Sequence, residues 1–117
     1  RIRIWKEYHQ MLLPLEESDR LRRPIIPENC RPNGHLYYIL LSTPKERTRV
    51  LNELNKKGVA AIFHYVPLHS SPAGKKYSRT HGSLDVTNDI SKRIIRLPLW
   101  IGLNSQNNIV THLHDIL

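Results

Sequence analysis

At 117 residues, 39% of them hydrophobic and 24% charged, the chain has the size and balance of one globular domain, since domains cluster near roughly 100 to 150 residues. No apolar run is long enough to span a bilayer, and the lone Cys30 excludes an internal disulfide and a paired-cysteine zinc site, as suits a reducing cytoplasm. The formal charge of +8 admits two kinds of partner, nucleic acid through phosphate neutralisation or a ligand bearing a diphosphate.

The chain opens at Arg1 and its one methionine is Met11, so it is expected to be part of a longer polypeptide. RIRIWKEYHQ alternates charge with bulk and lacks the apolar segment of a signal peptide. Trp5, Tyr8, Leu12 and Leu15 recur at three- and four-residue spacing, on one face of a helix that needs a partner surface. That partner is expected in a missing part of the protein or in another chain; the alternative is this domain's own core. Pro14 and then LRRPIIPENCRPNG cannot continue the helix, and they predict a connector with a short extended piece at Ile25 and Ile26.

His35 to Ser42, rich in aromatic and branched residues between Gly34 and Pro44, predicts a buried strand. Thr43 as N-cap, Pro44 at the first helical position and Glu46 three residues after the cap predict a helix to about Lys57. Val50, Leu51 and Leu54 form its inner face and Gly58 its left-handed stop. Val59 to Phe63 then reads as a second strand, completing a strand-helix-strand crossover that delivers the chain into HYVPLH. Lys75, Lys76 and Arg79 follow in a loop-like stretch. A helix is expected from Thr87, with Ile90 and Ile94 on its apolar edge and Lys92, Arg93 and Arg96 towards its end. Ile95 to Leu99 reads as a short edge strand, because Pro98 cannot donate within a ladder. A last helix is expected from about Ser105, with Ile109, Val110, Leu113 and Ile116 inward. These elements predict an α+β domain, a small mixed sheet of about three strands backed by helices.

The basic residues argue against nucleic acid. Arg20, Arg22 and Arg23 sit beside Glu16, Glu17 and Asp19, and the group at Lys75 lacks interleaved aromatic stacking platforms. His64, His69 and His81 raise the question of a metal, but the spacing lacks a helical i,i+4 frame and no carboxylate lies between them, so none is expected. His64 and Tyr65 leave the end of the second strand together, where such a layer presents ligand-facing groups. The alternative is a core tyrosine beside a satisfied surface histidine. His69 either completes a pocket or bonds to the loop backbone.

FHYVPLHSSPAG, with GHLYYILL before it and RLPLW after it, resembles the C-terminal domain of the DegT-type sugar aminotransferases, and the resemblance covers essentially the whole chain. It implies the small domain of a fold type I enzyme that uses pyridoxal phosphate to move an amino group, usually from glutamate, to a nucleotide-linked deoxysugar. It also implies a homodimer, with neither nucleic acid nor membrane as partner. The Schiff-base lysine, the aspartate facing the pyridine nitrogen and most phosphate ligands would belong to a larger N-terminal domain outside this sequence. The lysines agree, because a Schiff-base lysine needs a desolvated or cation-flanked position, whereas Lys6, Lys45, Lys56, Lys57 and Lys92 fall on predicted outer helix faces. Lys75 and Lys76 flank each other, but in a polar stretch.

By the same resemblance His64 and Tyr65 face the sugar nucleotide, and with His69 they are the candidate substrate-binding residues. Their rings can hydrogen-bond diphosphate or sugar oxygens and pack on the sugar's apolar face. No catalytic, cofactor-binding or metal-binding residue is expected within the chain, which alone would be inactive. His35 and Tyr37 match family positions with a structural role at the domain interface. Two other expectations compete: a stand-alone basic binding module, and a non-catalytic regulatory relative.

Overall fold

A computed structural model describes residues 1–117. Its first helices, α1 (Ile2–Met11) and α2 (Leu13–Glu17), carry the apolar stripe, and Trp5, Tyr8, Leu12 and Leu15 are all buried. They belong to the one hydrophobic core together with the sheet and the last helix. The expectation of a missing partner for this stripe is therefore corrected. The reason is aromatic packing within the domain: Trp5 meets the Tyr37 ring edge-on at 5.2 Å and Tyr8 lies 5.3 Å from it.

The connector after α2 is held by polar contacts. Glu16 accepts from the Arg23 backbone N–H and from its Nε, each at 2.6 Å, while another Arg23 nitrogen donates to the His9 carbonyl. The extended contact forms at Arg22, which bridges Leu40. It does not form at Ile25 and Ile26, which stay exposed.

Strands β1 (Tyr37–Leu40) and β2 (Ile94–Leu97) pair antiparallel, with Tyr37 opposite Leu97 and Tyr38 opposite Arg96. Ile62 bridges the outer side of Arg96, also antiparallel. The α+β class stands, but every pairing is antiparallel where a mixed sheet was expected, because β2 inserts between β1 and the Ile62 segment. Val59 to Phe63 contributes that single bridge instead of a strand. Ala61 donates to the Val59 carbonyl two residues back, at 2.7 Å, a tight turn that interrupts the extended run. β2 is one edge of the two-stranded sheet, touched on its outer side only by the Ile62 bridge, and Pro98 lies just past its end, where no ladder donor is needed.

Helix α3 (Pro44–Lys56) begins as its sequence predicts, with Thr43 Oγ1 accepting from the Glu46 N–H at 3.1 Å. Val50 and Leu54 are fully buried, and the helix stops before Gly58 at φ +78°. The stretch expected as loop folds into a 3-10 turn (Leu68–Ser70) and α4 (Pro72–Tyr77), capped by Ser71 accepting from the Gly74 N–H at 3.0 Å. Helix α5 (Asp85–Arg93) starts before Thr87 and ends before Arg96, which lies on β2. Helix α6 (Gln106–Ile116) buries Ile109, Val110 and Leu113.

The core lies on one face of the sheet, where Tyr37, Ile39, Ile95 and Leu97 meet residues of α1, α3 and α6. Alternation along the strands sends Tyr38 and Arg96 to the other face, where both stay partly exposed. No helix is long and apolar enough to cross a membrane.

Candidate functional site

The open sheet face leads directly into the HYVPLH segment. Arg96 donates its N–H to the Ile62 carbonyl at 2.7 Å and accepts from the Ile62 N–H at 3.2 Å, which fixes the exit of the chain. Two residues further on, His64 returns to the same side of the sheet, and Arg96 Nη1 lies 2.8 Å from its Nε2. The peptide bond between His64 and Tyr65 is cis. Their rings stack, with centroids 3.9 Å apart and planes 21° from parallel. His64 is half-buried, whereas Tyr65 is 67% exposed, which excludes a core role for this tyrosine within the chain.

Burial, then the Arg96 charge, then His35 hold the His64 imidazole below the usual histidine range. The ring is neutral at physiological pH and offers one donor and one acceptor. Beside it, a hollow of about 310 Å³ is lined by Ile62, Arg96, Pro98 and Trp100 among others. His64 and Tyr65 do not line this hollow, and Arg96 is what it shares with them. Trp100 is 50% and Ile62 46% exposed, so a cation, an imidazole and a phenol stand next to apolar walls. Such a set can bind oxyanion or hydroxyl groups while an aliphatic or ring surface packs alongside.

His69 stands on the 3-10 turn, and its Nε2 lies 2.9 Å from Asn88 Oδ1 of α5. The structure thus ties His64 to the sheet and His69 to a helix, and the bond to His69 comes from a side chain and not from the loop backbone. On the core side, Tyr37 is fully buried, with His9 Nδ1 3.3 Å from its hydroxyl. Arg47 of α3 covers the exposed Phe63 ring at 5.5 Å. Asn88 and Arg96 are the partners that sequence reasoning missed. Arg96 had a readable signal: Ile95, Leu97 and Leu99 alternate with it at period two, the mark of a strand with Arg96 on its outer face.

Pyridoxal phosphate chemistry requires a Schiff-base lysine whose pKa is lowered by its surroundings. Lys6, Lys45, Lys56, Lys57, Lys75, Lys76 and Lys92 are all exposed, and Lys56 donates to Glu53 at 2.8 Å. The residues of this chain do not by themselves make a site for that cofactor. No group of three or more His, Cys, Asp or Glu residues stands close enough to hold a metal ion.

A small antiparallel sheet backed by helices is a fold shared with solved proteins. The DegT/DnrJ/EryC1/StrS aminotransferase family model matches residues 1–114, and the chain belongs to that family. Among solved structures, a DegT DnrJ EryC1 StrS aminotransferase from Brucella abortus is 27% identical with a TM-score of 0.76, and this chain covers 97% of itself and 29% of that chain. NtdA from Bacillus subtilis, solved with bound cofactor PMP, shares the fold at 20% identity and a TM-score of 0.79, over 99% of this chain and 27% of that one. Uncharacterized protein MJ1066 of Methanocaldococcus jannaschii is 27% identical over 89 residues, 73% of this chain and 23% of its own. The chain therefore spans about a third or less of the length of each relative.

Proposed function

We propose that this chain is the C-terminal small domain of a pyridoxal-phosphate-dependent transaminase that moves an amino group from glutamate to a nucleotide-linked 4-keto-6-deoxysugar, for cell-surface polysaccharide or lipopolysaccharide biosynthesis. Within the family, the loop is similar to that of dTDP-4-amino-4,6-dideoxygalactose transaminase, which also continues into Pro-Ala-Gly. The observation that carries the proposal is the His64–Tyr65 pair, stacked beside Arg96 on the open sheet face of a chain that belongs to this family. His64, Tyr65 and His69 contact substrate, and Arg96 adds positive charge where a diphosphate would lie. The lysine chemistry comes from a larger N-terminal domain, in a cytoplasmic homodimer.

The geometry suits binding better than catalysis. A neutral imidazole and an exposed phenol can orient an oxyanion, but no buried lysine is present to hold a pyridoxal cofactor as a Schiff base. The 117-residue chain is accordingly inactive alone. The test compares it with the same chain joined to the polypeptide encoded upstream, each given glutamate, pyridoxal phosphate and a dTDP-4-keto-6-deoxysugar. Amino transfer is expected only from the longer protein; transfer by the short chain, or none by the longer one, overturns the proposal.

A further inference from the structure

A guanidinium carries only N–H donors, so the His64 nitrogen that lies 2.8 Å from Arg96 Nη1 is an acceptor. The ring proton of His64 is then on Nδ1, since the bond made by one imidazole nitrogen sets the state of the other. Two independent features hold this geometry. Reciprocal backbone bonds clamp Arg96 to Ile62, two residues before His64, and the Tyr65 ring stacks against the imidazole at 3.9 Å.

We infer that Arg96 is a positioning residue of the His64–Tyr65 site, locking His64 as the neutral Nδ1–H tautomer so that the ring offers a bound oxygen an N–H donor and not a lone pair. At that atom His64 binds and does not act as a base. The inference deepens the substrate-contact reading above, and it rests on that reading only for the identity of the bound oxygen. The groups facing the ring are Arg96 from β2, Tyr65 from its own segment and His35 from the segment before β1. Burial first, and then the charges of Arg96 and His35, disfavour the imidazolium. Protonating Nε2 would set two donors against each other and break the Arg96 contact.

Long-range proton–nitrogen correlation spectra of the 117-residue chain read the tautomer with no substrate present. The parent is expected to show Nδ1 protonated and Nε2 bare at neutral pH. Arg96→Met keeps an unbranched stem but removes the donors; its His64 is expected to move towards the Nε2–H form and to titrate nearer the ordinary value of about 6.5. Arg96→Lys, which again offers only donors, is expected to restore Nδ1–H. A parent ring carrying its proton on Nε2, or an Arg96→Met ring with unchanged tautomer and titration, overturns the inference. Backbone amide spectra show whether Arg96→Met is folded; if it is not, the parent tautomer and the Arg96→Lys ring decide the matter. A failed transaminase assay alongside an Nδ1–H His64 would remove the functional proposal and leave the role of Arg96 standing.

Discussion

The Tyr8 hydroxyl donates to the Pro98 carbonyl at 2.9 Å, joining positions 90 residues apart. The bond fastens the first helix to the residue just past the end of β2. Burial pushes the Tyr8 phenol well above the usual tyrosine range, so it remains a protonated donor throughout the working pH range. Tyr8→Phe keeps the ring and leaves a buried carbonyl without this partner. The expected loss is about 1–3 kcal/mol in a urea melt, as for other unsatisfied buried acceptors. An unchanged midpoint would show that the bond contributes nothing.

Leu12 is fully buried between α1 and α2 and belongs to the central core. Leu12→Ala should therefore cost about 2–5 kcal/mol, the usual range for emptying a packed leucine site. Sedimentation should show the same association state for variant and parent. If the stripe instead drove self-association, the variant would dissociate with its unfolding midpoint little altered.

Acid should weaken the fold in two stages. His9 and His64 both titrate below the ordinary histidine value of 6.5, chiefly through burial and then through nearby Arg23 and Arg96 respectively. Their neutral forms are favoured in the fold, so the stability they contribute is full above about pH 6.5 and lost as pH falls through their folded values. Burial raises the Glu16 carboxyl, but the Arg23 backbone N–H and guanidinium outweigh it, leaving Glu16 below 4.5. Its contribution is present above that value and disappears as pH falls through the folded one. Urea midpoints measured from neutral to strongly acid pH should decline along both limbs, and Glu16→Gln should flatten the lower one. A pH-independent midpoint would contradict this account.

Gly74 has no room for a side chain. A Cβ added there would fall on the Leu68 carbonyl oxygen, backbone against backbone. Gly74→Ala should push α4 away from the 3-10 turn that carries His69, leaving the distant core intact. Amide shifts should move across residues 68–77 while the unfolding free energy from urea melts changes by less than about 1 kcal/mol, as for substitutions remote from the core. Under the proposed function, the same variant in the longer protein should raise KM for a nucleotide-sugar substrate more than it lowers kcat.

Much of this fold was decided locally and could be read from the sequence. The Thr43-Pro44-Glu46 start and the Gly58 stop of α3 depend on backbone groups within a few residues, so the chain itself carries the information. The same holds for the inward faces of α1, α3 and α6, which follow from helical spacing. FHYVPLHSSPAG, with GHLYYILL before it, RLPLW after it and the spacing between them, carried the family resemblance.

What covers an apolar face is a different kind of question. The Trp5–Tyr8–Leu12 stripe looked unpartnered because its partners, Tyr37 and the end of β2, lie far along the chain. Strand order was likewise a competition between segments. Val59 to Phe63 had the composition of a strand, but β2 took the place beside β1 and left Ile62 a single bridge. Only that arrangement puts Arg96 opposite Tyr38 and within reach of His64. Sequence could supply the histidine and the tyrosine of the site; the pairing of distant strands supplied the arginine that sets the histidine's proton.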